Sequence, residues 1–321
     1  MLISSIYEPV RQDMAEVEES LKAAGKVDLP WMAEPLRYVL ESGGKRIRPA
    51  LTLLAGKFYH YNPEQLIPMA TAMELFHTAT LVHDDAVDKS SVRRGRATVS
   101  SLWGEGIAVL LGDYLFANSA HLVCSTGNLR VMRLFAQMLM NISSGQLRQL
   151  MSAYDWRQGR EDYYQQISSK TASLLSLSTE AGAILSEAPE EGVEALRTYG
   201  HELGMAFQIV DDILDFIGEE EELGKPVGSD LMQGTLTLPA IVLMEQHADD
   251  ALLREVFEKR GDRAGVQRVI EMVRNSSIVQ ECYKIAADFC AQACHALEGL
   301  PEKDCRRSLL DLADYVIERR K

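Results

Sequence analysis

No CxxC pair, no basic tail and almost no strand-like alternation occur in this 321-residue chain. Each absence removes a class of function. Five cysteines, an odd number, do not read as a disulfide framework and fit a reducing cytoplasm. A net charge of −14 with no basic stripe argues against nucleic acid as the main partner. The start, MLISSIYEPVRQDMAEVEES, lacks a basic n-region, so no secretory leader is expected. No apolar stretch reads as approaching the roughly 18 residues of a membrane span. There is no long-period repeat and no low-complexity segment. No Ser-His-Asp or Cys-His arrangement for nucleophilic catalysis stands out.

What is there is helical. The chain is 46% hydrophobic and 25% charged, ordinary globular material. Val10, Met14, Val17 and Leu21 form the stripe of an amphipathic helix. Leu36 to Glu41 reads as another, broken by Gly43-Gly44. A long helix is expected from about Pro63 to Val87. Further helices are expected near 105–125, 128–152, 161–186, 191–217, 236–247, 250–259, 263–274, 277–298 and 302–319. The class is therefore all-α.

Two acidic pentads dominate the chain, Asp84-Asp85-Ala86-Val87-Asp88 and Asp211-Asp212-Ile213-Leu214-Asp215. A lone DDxxD is common on solvated helix faces. Both copies here sit inside apolar runs, LFHTATLVHDDAVD and GMAFQIVDDILDFIG. Residues i and i+4 share a helix face, so Asp84 should point with Asp88 and Asp211 with Asp215. Inward carboxylates need compensation. Mg²⁺ on a phosphate would supply it, since that ion takes oxygen ligands and keeps part of its coordination for phosphates. Length alone suggests about two domains. Convergence of both pentads on one site instead favours a single domain over 1–321 with a central cavity.

Three loops accompany the acids. Gly43-Gly44-Lys45-Arg46-Ile47-Arg48-Pro49 allows close backbone approach and carries three cations. KSSVRRGRAT, residues 89–98, directly follows the first pentad, and residues 218–234 follow the second and read as a mobile lid bearing Lys225. Lys45, Arg48, Arg93 and Arg94 suit direct phosphate binding. An acid cluster beside a basic cluster fits two different diphosphates, with electrostatic stabilisation of a leaving diphosphate. Cys290 and Cys294 share a helix face next to His295, where half-buried thiols are favoured over a zinc site.

GGKRIRP, ELFHTATLVHDDAVDKSSVRRGRATVS, SSKTASLL and GMAFQIVDDILDFIGEEEELGKPVGSDL resemble the trans-isoprenyl diphosphate synthase (polyprenyl synthetase) family, in order, over about 30–240. The resemblance implies the isoprenoid synthase fold, a cytoplasmic homodimer and three Mg²⁺ per active site. It implies condensation of isopentenyl diphosphate with an allylic diphosphate into a longer all-trans polyprenyl diphosphate. Asp84 and Asp88 would ligate Mg²⁺ with support from Asp85, and Asp211 a further Mg²⁺ with Asp212 and Asp215 nearby. Arg93, Lys170 and Lys225 would meet the allylic diphosphate. Gly44, Lys45, Arg48, His77 and Arg94 would hold isopentenyl diphosphate, with Phe207 beside it. Thr171 and Gln208 would lie by the allylic cation. His83 reads as a hydrogen-bonded neighbour. Thr235 stands where the family often has lysine. Ala79 and Thr80, one turn before Asp84, would face the growing tail, with Phe76 a further turn down as a later floor. The small residues suggest a product of 25 to 50 carbons; a fifteen- or twenty-carbon synthase is the alternative. A class I terpene cyclase and a non-catalytic partner subunit are weaker readings.

Overall fold

Asn62 and Pro63 begin the helix around which the rest is built. The Asn62 side chain accepts from the Glu64 amide, and Pro63 occupies the first turn, where a missing N–H costs nothing. The computed structural model describes residues 3–218, 226–247, 251–260 and 262–319. The helices used below are α1 (Arg11–Ala24), α2 (Pro30–Leu40), α3 (Ile47–Gly56), α4 (Pro63–Val87), α5 (Glu105–Ser125), α6 (Leu129–Met151), α7 (Arg160–Ile167), α8 (Ser173–Leu185), α9 (Glu190–Ile217), α10 (Leu238–Gln246), α11 (Leu252–Glu258), α12 (Arg263–Arg274), α13 (Ile278–Ala296) and α14 (Asp304–Glu318). Among the described residues, strand is confined to a hairpin, β1 (Val92–Arg93) and β2 (Arg96–Ala97). Its two turn residues, Arg94 at φ 52 and Gly95 at φ 73, are both left-handed, as a tight hairpin requires.

α4 is buried nearly all round and packs against α3, α5 and α8. α9 packs against α8 on one side and α13 on the other. Glycines set the α8–α9 spacing. A Cβ on Gly204 would fall 2.5 Å from the Ala172 Cα, and one on Gly200 would fall 2.3 Å from Thr179 Oγ1. The two helices therefore cross at backbone distance, which carries Thr171 to Gln208.

Most expected helices are present within a residue or two of the sequence reading. α2 begins earlier than expected, at Pro30. α3 was not anticipated. Every residue in it except Arg48 is buried, and a continuous apolar run shows no period to read. The 161–186 segment is interrupted by a π-helical turn over Ser168–Ala172. α5 corrects the expectation about apolar length: its 21 residues, with a mean hydropathy of 1.4, would suffice by length and composition to cross a membrane. It carries Glu105 and Asp113, and its Ser119 Oγ donates to the Ala72 carbonyl of α4 at 2.8 Å, so we describe it as a helix of the bundle.

Candidate active site

The first pentad closes α4. Carboxylates at a helix C-terminus face the negative end of the dipole, so cations gather there. Arg93 Nε of the hairpin donates to Asp85 Oδ1 at 2.7 Å. Asp85 is buried, and that burial raises its pKa against the pull of Arg93. Lys170 Nζ lies 3.6 Å from Asp84 Oδ2. Desolvation at the cleft mouth, and then Asp84, raise the Asp88 pKa.

The three acids of the second pentad meet three different environments. Asp211 takes the Nη2 of Arg319, whose guanidinium stacks 4.2 Å from the Phe207 ring centre. Asp212 is buried and accepts from Tyr163 OH at 2.6 Å and Gln208 Nε2 at 2.8 Å. Burial, and then Asp230, push its pKa up to about 8, although both hydrogen bonds oppose the shift. Thr171 Oγ1 donates to Gln208 Oε1 at 2.6 Å, which completes a chain from Thr171 to Tyr163. Asp215 is 1% exposed and accepts from Ser229 Oγ at 2.9 Å and the Asp230 amide at 3.3 Å. One turn apart, Asp211 and Asp215 meet different partners: the first takes Arg319 and the second braces the segment after α9.

Lys170 and Thr171 come from the π turn, where one extra residue per turn changes which side chains face inward. With Gln149, Tyr163, Gln208, Asp212, Asp230, Thr235 and others they line a cleft of about 100 Å³. Lys170 Nζ also donates to Gln149 Oε1 at 3.3 Å, and Gln149 Nε2 donates to Thr235 Oγ1 at 3.3 Å. A neutral Gln–Thr pair therefore stands beside Lys170. Lys225 lies outside the described residues, as do residues 219–224 of the expected lid.

A basic basin adjoins this cleft. Arg94 Nη1 donates to the Gly43 carbonyl at 2.8 Å, joining the two basic loops. Lys45 lies 5.4 Å over the Tyr315 ring, and its carbonyl accepts from Tyr7 OH at 2.9 Å. Burial pulls the Arg48 pKa down to about 10, against Glu74 and Asp211, so it stays charged near neutrality. Its Nε has no partner among the described residues. Burial, and then Arg48, Arg94 and Arg93, hold the His77 pKa well below the ordinary value. His83 bonds the Val109 carbonyl at 2.9 Å and leaves the basin to pack on α5.

Below the first pentad, Ala79 is buried and Thr80 Oγ1 donates to the His77 carbonyl at 2.7 Å. Phe76 is buried against Phe116 and Phe135, with ring centres at 5.1 and 5.5 Å. Elsewhere, Cys290 Sγ donates to the Ala313 carbonyl of α14 and is pushed up to about 12 by burial, as expected of a packed thiol.

Among the described residues, no three His, Cys, Asp or Glu side chains stand close enough to cage an ion. The donor chemistry fits a hard cation that takes one or two carboxylates and fills its remaining positions from phosphate. Asp84, Asp88 and Asp211 are the available oxygens. Sequence reasoning missed Gln149, Tyr163, Glu74 and Arg319. Of these, Glu74 alone carried a signal, as a lone acid in an apolar run.

Residues 29–273 match the polyprenyl synthetase family. The chain is 38% identical over 319 residues to heptaprenyl diphosphate synthase component 2 of Geobacillus stearothermophilus, covering 99% of each. A decaprenyl diphosphate synthase structure from Rhodobacter capsulatus is similar with a TM-score of 0.92 and 38% identity, covering 100% of both chains. A polyprenyl synthase from Caulobacter crescentus CB15, complexed with calcium and isoprenyl diphosphate, gives 0.94 and 32%, covering 100% of this chain and 98% of that one. The chain belongs to the polyprenyl synthetase family. It is an enzyme with that family's all-α isoprenoid synthase fold, a transferase of prenyl groups.

Proposed function

We propose that residues 1–321 form one polyprenyl synthetase domain that condenses isopentenyl diphosphate with an allylic diphosphate, giving an all-trans product of 25 to 50 carbons. The carrying observation is the juxtaposition of an acid-lipped cleft and a separate arginine basin. Mg²⁺, three ions per site held by Asp84, Asp88 and Asp211, would neutralise charge on the departing diphosphate. The calcium in the Caulobacter relative supports a divalent ion.

Arg93, Lys170 and Lys225 hold the allylic diphosphate, and Asp85 orients Arg93. As the allylic C–O bond breaks, its electron pair leaves with diphosphate. Thr171 and Gln208, fixed by Asp212 and Tyr163, present oxygen dipoles toward the cation. Gly44, Lys45, Arg48, His77 and Arg94 hold isopentenyl diphosphate, with Phe207 beside it. Its double bond attacks the cation, and a proton then leaves to the released diphosphate. Ala79 and Thr80 leave room for the tail, and Phe76 with Phe116 and Phe135 forms a deep floor. The names of the relatives, heptaprenyl and decaprenyl synthases, support the longer product.

The enzyme acts in the cytoplasm as a homodimer. The outer faces of α5 and α6 support self-association, with Leu110 67% and Met151 87% exposed. A second reading, a heteromer, is favoured by the words "component 2" in the name of one relative.

The test is turnover of labelled isopentenyl diphosphate on a farnesyl primer with Mg²⁺, with products separated by chromatography. The expected products exceed twenty carbons, and Ala79→Phe shortens them while keeping the first condensation. Products of twenty carbons or fewer defeat the long-chain reading. No turnover with any allylic primer, by the chain alone, defeats the reaction for a self-sufficient enzyme.

A further inference from the structure

The three cations of the Gly43–Arg48 loop do different things. Arg46 donates from Nε to Glu18 Oε1 at 2.6 Å and from Nη1 to Glu74 Oε1 at 2.8 Å. Its side chain is 12% exposed, so it is committed to the protein rather than to a ligand. Its backbone is left-handed, at φ 50, and one residue separates it from Gly44 at φ 157, which follows Gly43 at φ 70. Three positive angles within four residues, the last at an arginine, need holding from outside the loop. Glu18 of α1 and Glu74 of α4 supply that hold.

Glu74 is the unusual member. It lies in the apolar part of α4, 5% exposed, and its Oε2 has no partner among the described residues. A buried carboxylate is costly unless charges compensate it. Arg46 does so by contact, and the charges of Arg48 and Arg94 reach it as well. A Cβ on Gly44 would lie 3.8 Å from Glu74 Oε1 and 3.2 Å from Arg94 Nη1, so the carboxylate stands behind Gly44. Asp84 follows on the same helix, roughly 15 Å further along its axis at 1.5 Å per residue.

We propose that Glu74 is a positioning residue for the isopentenyl diphosphate pocket. Through Arg46 it holds the Gly43–Arg48 backbone in its turn, and from α4 it fixes the distance between that pocket and the first acidic motif. The inference rests on the reaction proposed above.

The experiment compares wild type, Glu74→Gln and Glu18→Gln in the two-substrate assay, with isopentenyl diphosphate binding measured by calorimetry. Glu74→Gln should raise KM and Kd for isopentenyl diphosphate at least ~10-fold, leave the allylic KM within about 2-fold and change kcat far less. A merely structural loss would reduce the active fraction and move both substrates alike. Glu18→Gln, which keeps the Glu74 contact, should shift the same constant about 3-fold, and it decides the matter should Glu74→Gln fail to fold. An unchanged or lower KM for isopentenyl diphosphate, or equal rises for both substrates, overturns the positioning role. A wild type that binds isopentenyl diphosphate but never condenses it overturns the reaction instead, and the calorimetric comparison still tests Glu74.

Discussion

Asp211 and Asp215 share a helix face by number, yet their neighbours divide their work. Asp211 meets Arg319 with its own side chain 42% exposed, while Asp215 holds Ser229 and the Asp230 amide. Asp84→Ala or Asp211→Ala should cut turnover at least ~10³-fold with helical content unchanged, because electrostatic stabilisation commonly supplies several kcal/mol. Asp215→Ala should instead lower Tm. Near wild-type rates for the first two in saturating Mg²⁺ would remove them from the chemistry. His77 carries a pH signature. Burial and nearby arginines keep it neutral in the fold, whereas in the unfolded chain it gains a proton near its ordinary pKa of about 6.5. Its contribution is therefore present above that pH and is lost as pH falls. The loss is about 1.4 kcal/mol per pH unit at most. His77→Gln should flatten the fall in Tm between about pH 6.5 and 5; an identical slope would show that other groups dominate.

At the scale of elements, the sequence was readable wherever a period could be counted. α9 announced itself by apolar spacing, and the pentads carried by α4 and α9 were visible as text. α3 was hidden because its run is apolar on every face except at Arg48. The π turn was hidden for a different reason: one added residue leaves composition and period almost unchanged. Its effect is geometric, since Lys170 and Thr171 both reach the cleft from it. Deleting Ser169 should restore regular helix from α7 into α8 and rotate one of the two away. We expect circular dichroism to stay helical and turnover to fall at least ~100-fold, as misplacement by about 1 Å can cost that much. Undiminished turnover would make the turn incidental.

The whole molecule was legible in class and reaction, less so in how its parts meet. Tyr199 OH donates to the Leu309 carbonyl at 2.7 Å and Lys303 Nζ to the Phe58 carbonyl at 2.8 Å, so α14 is tied to α9 and to the end of α3. Such long-range ties leave no mark in local spacing. Neither did the bare faces of α5 and α6, and hydropathy alone would assign α5 to a membrane. Covered by a second copy, they should give a sedimentation mass near twice 35.8 kDa at micromolar concentration. A mass near 35.8 kDa would refute the dimer.

The contact between Arg319 and Asp211 gives this architecture an exchangeable counter-ion. A guanidinium and a divalent cation compete for the same carboxylate and repel each other there, so the arrival of one weakens the hold of the other. The end of α14 is thereby coupled to the contents of the cleft. Mg²⁺ with inorganic diphosphate should loosen the last turn of α14, seen as faster amide hydrogen exchange around Tyr315 to Glu318. In Arg319→Ala that turn should already exchange quickly and should no longer respond to Mg²⁺. An unaltered response in the variant would show that the terminal helix and the acidic cleft are independent.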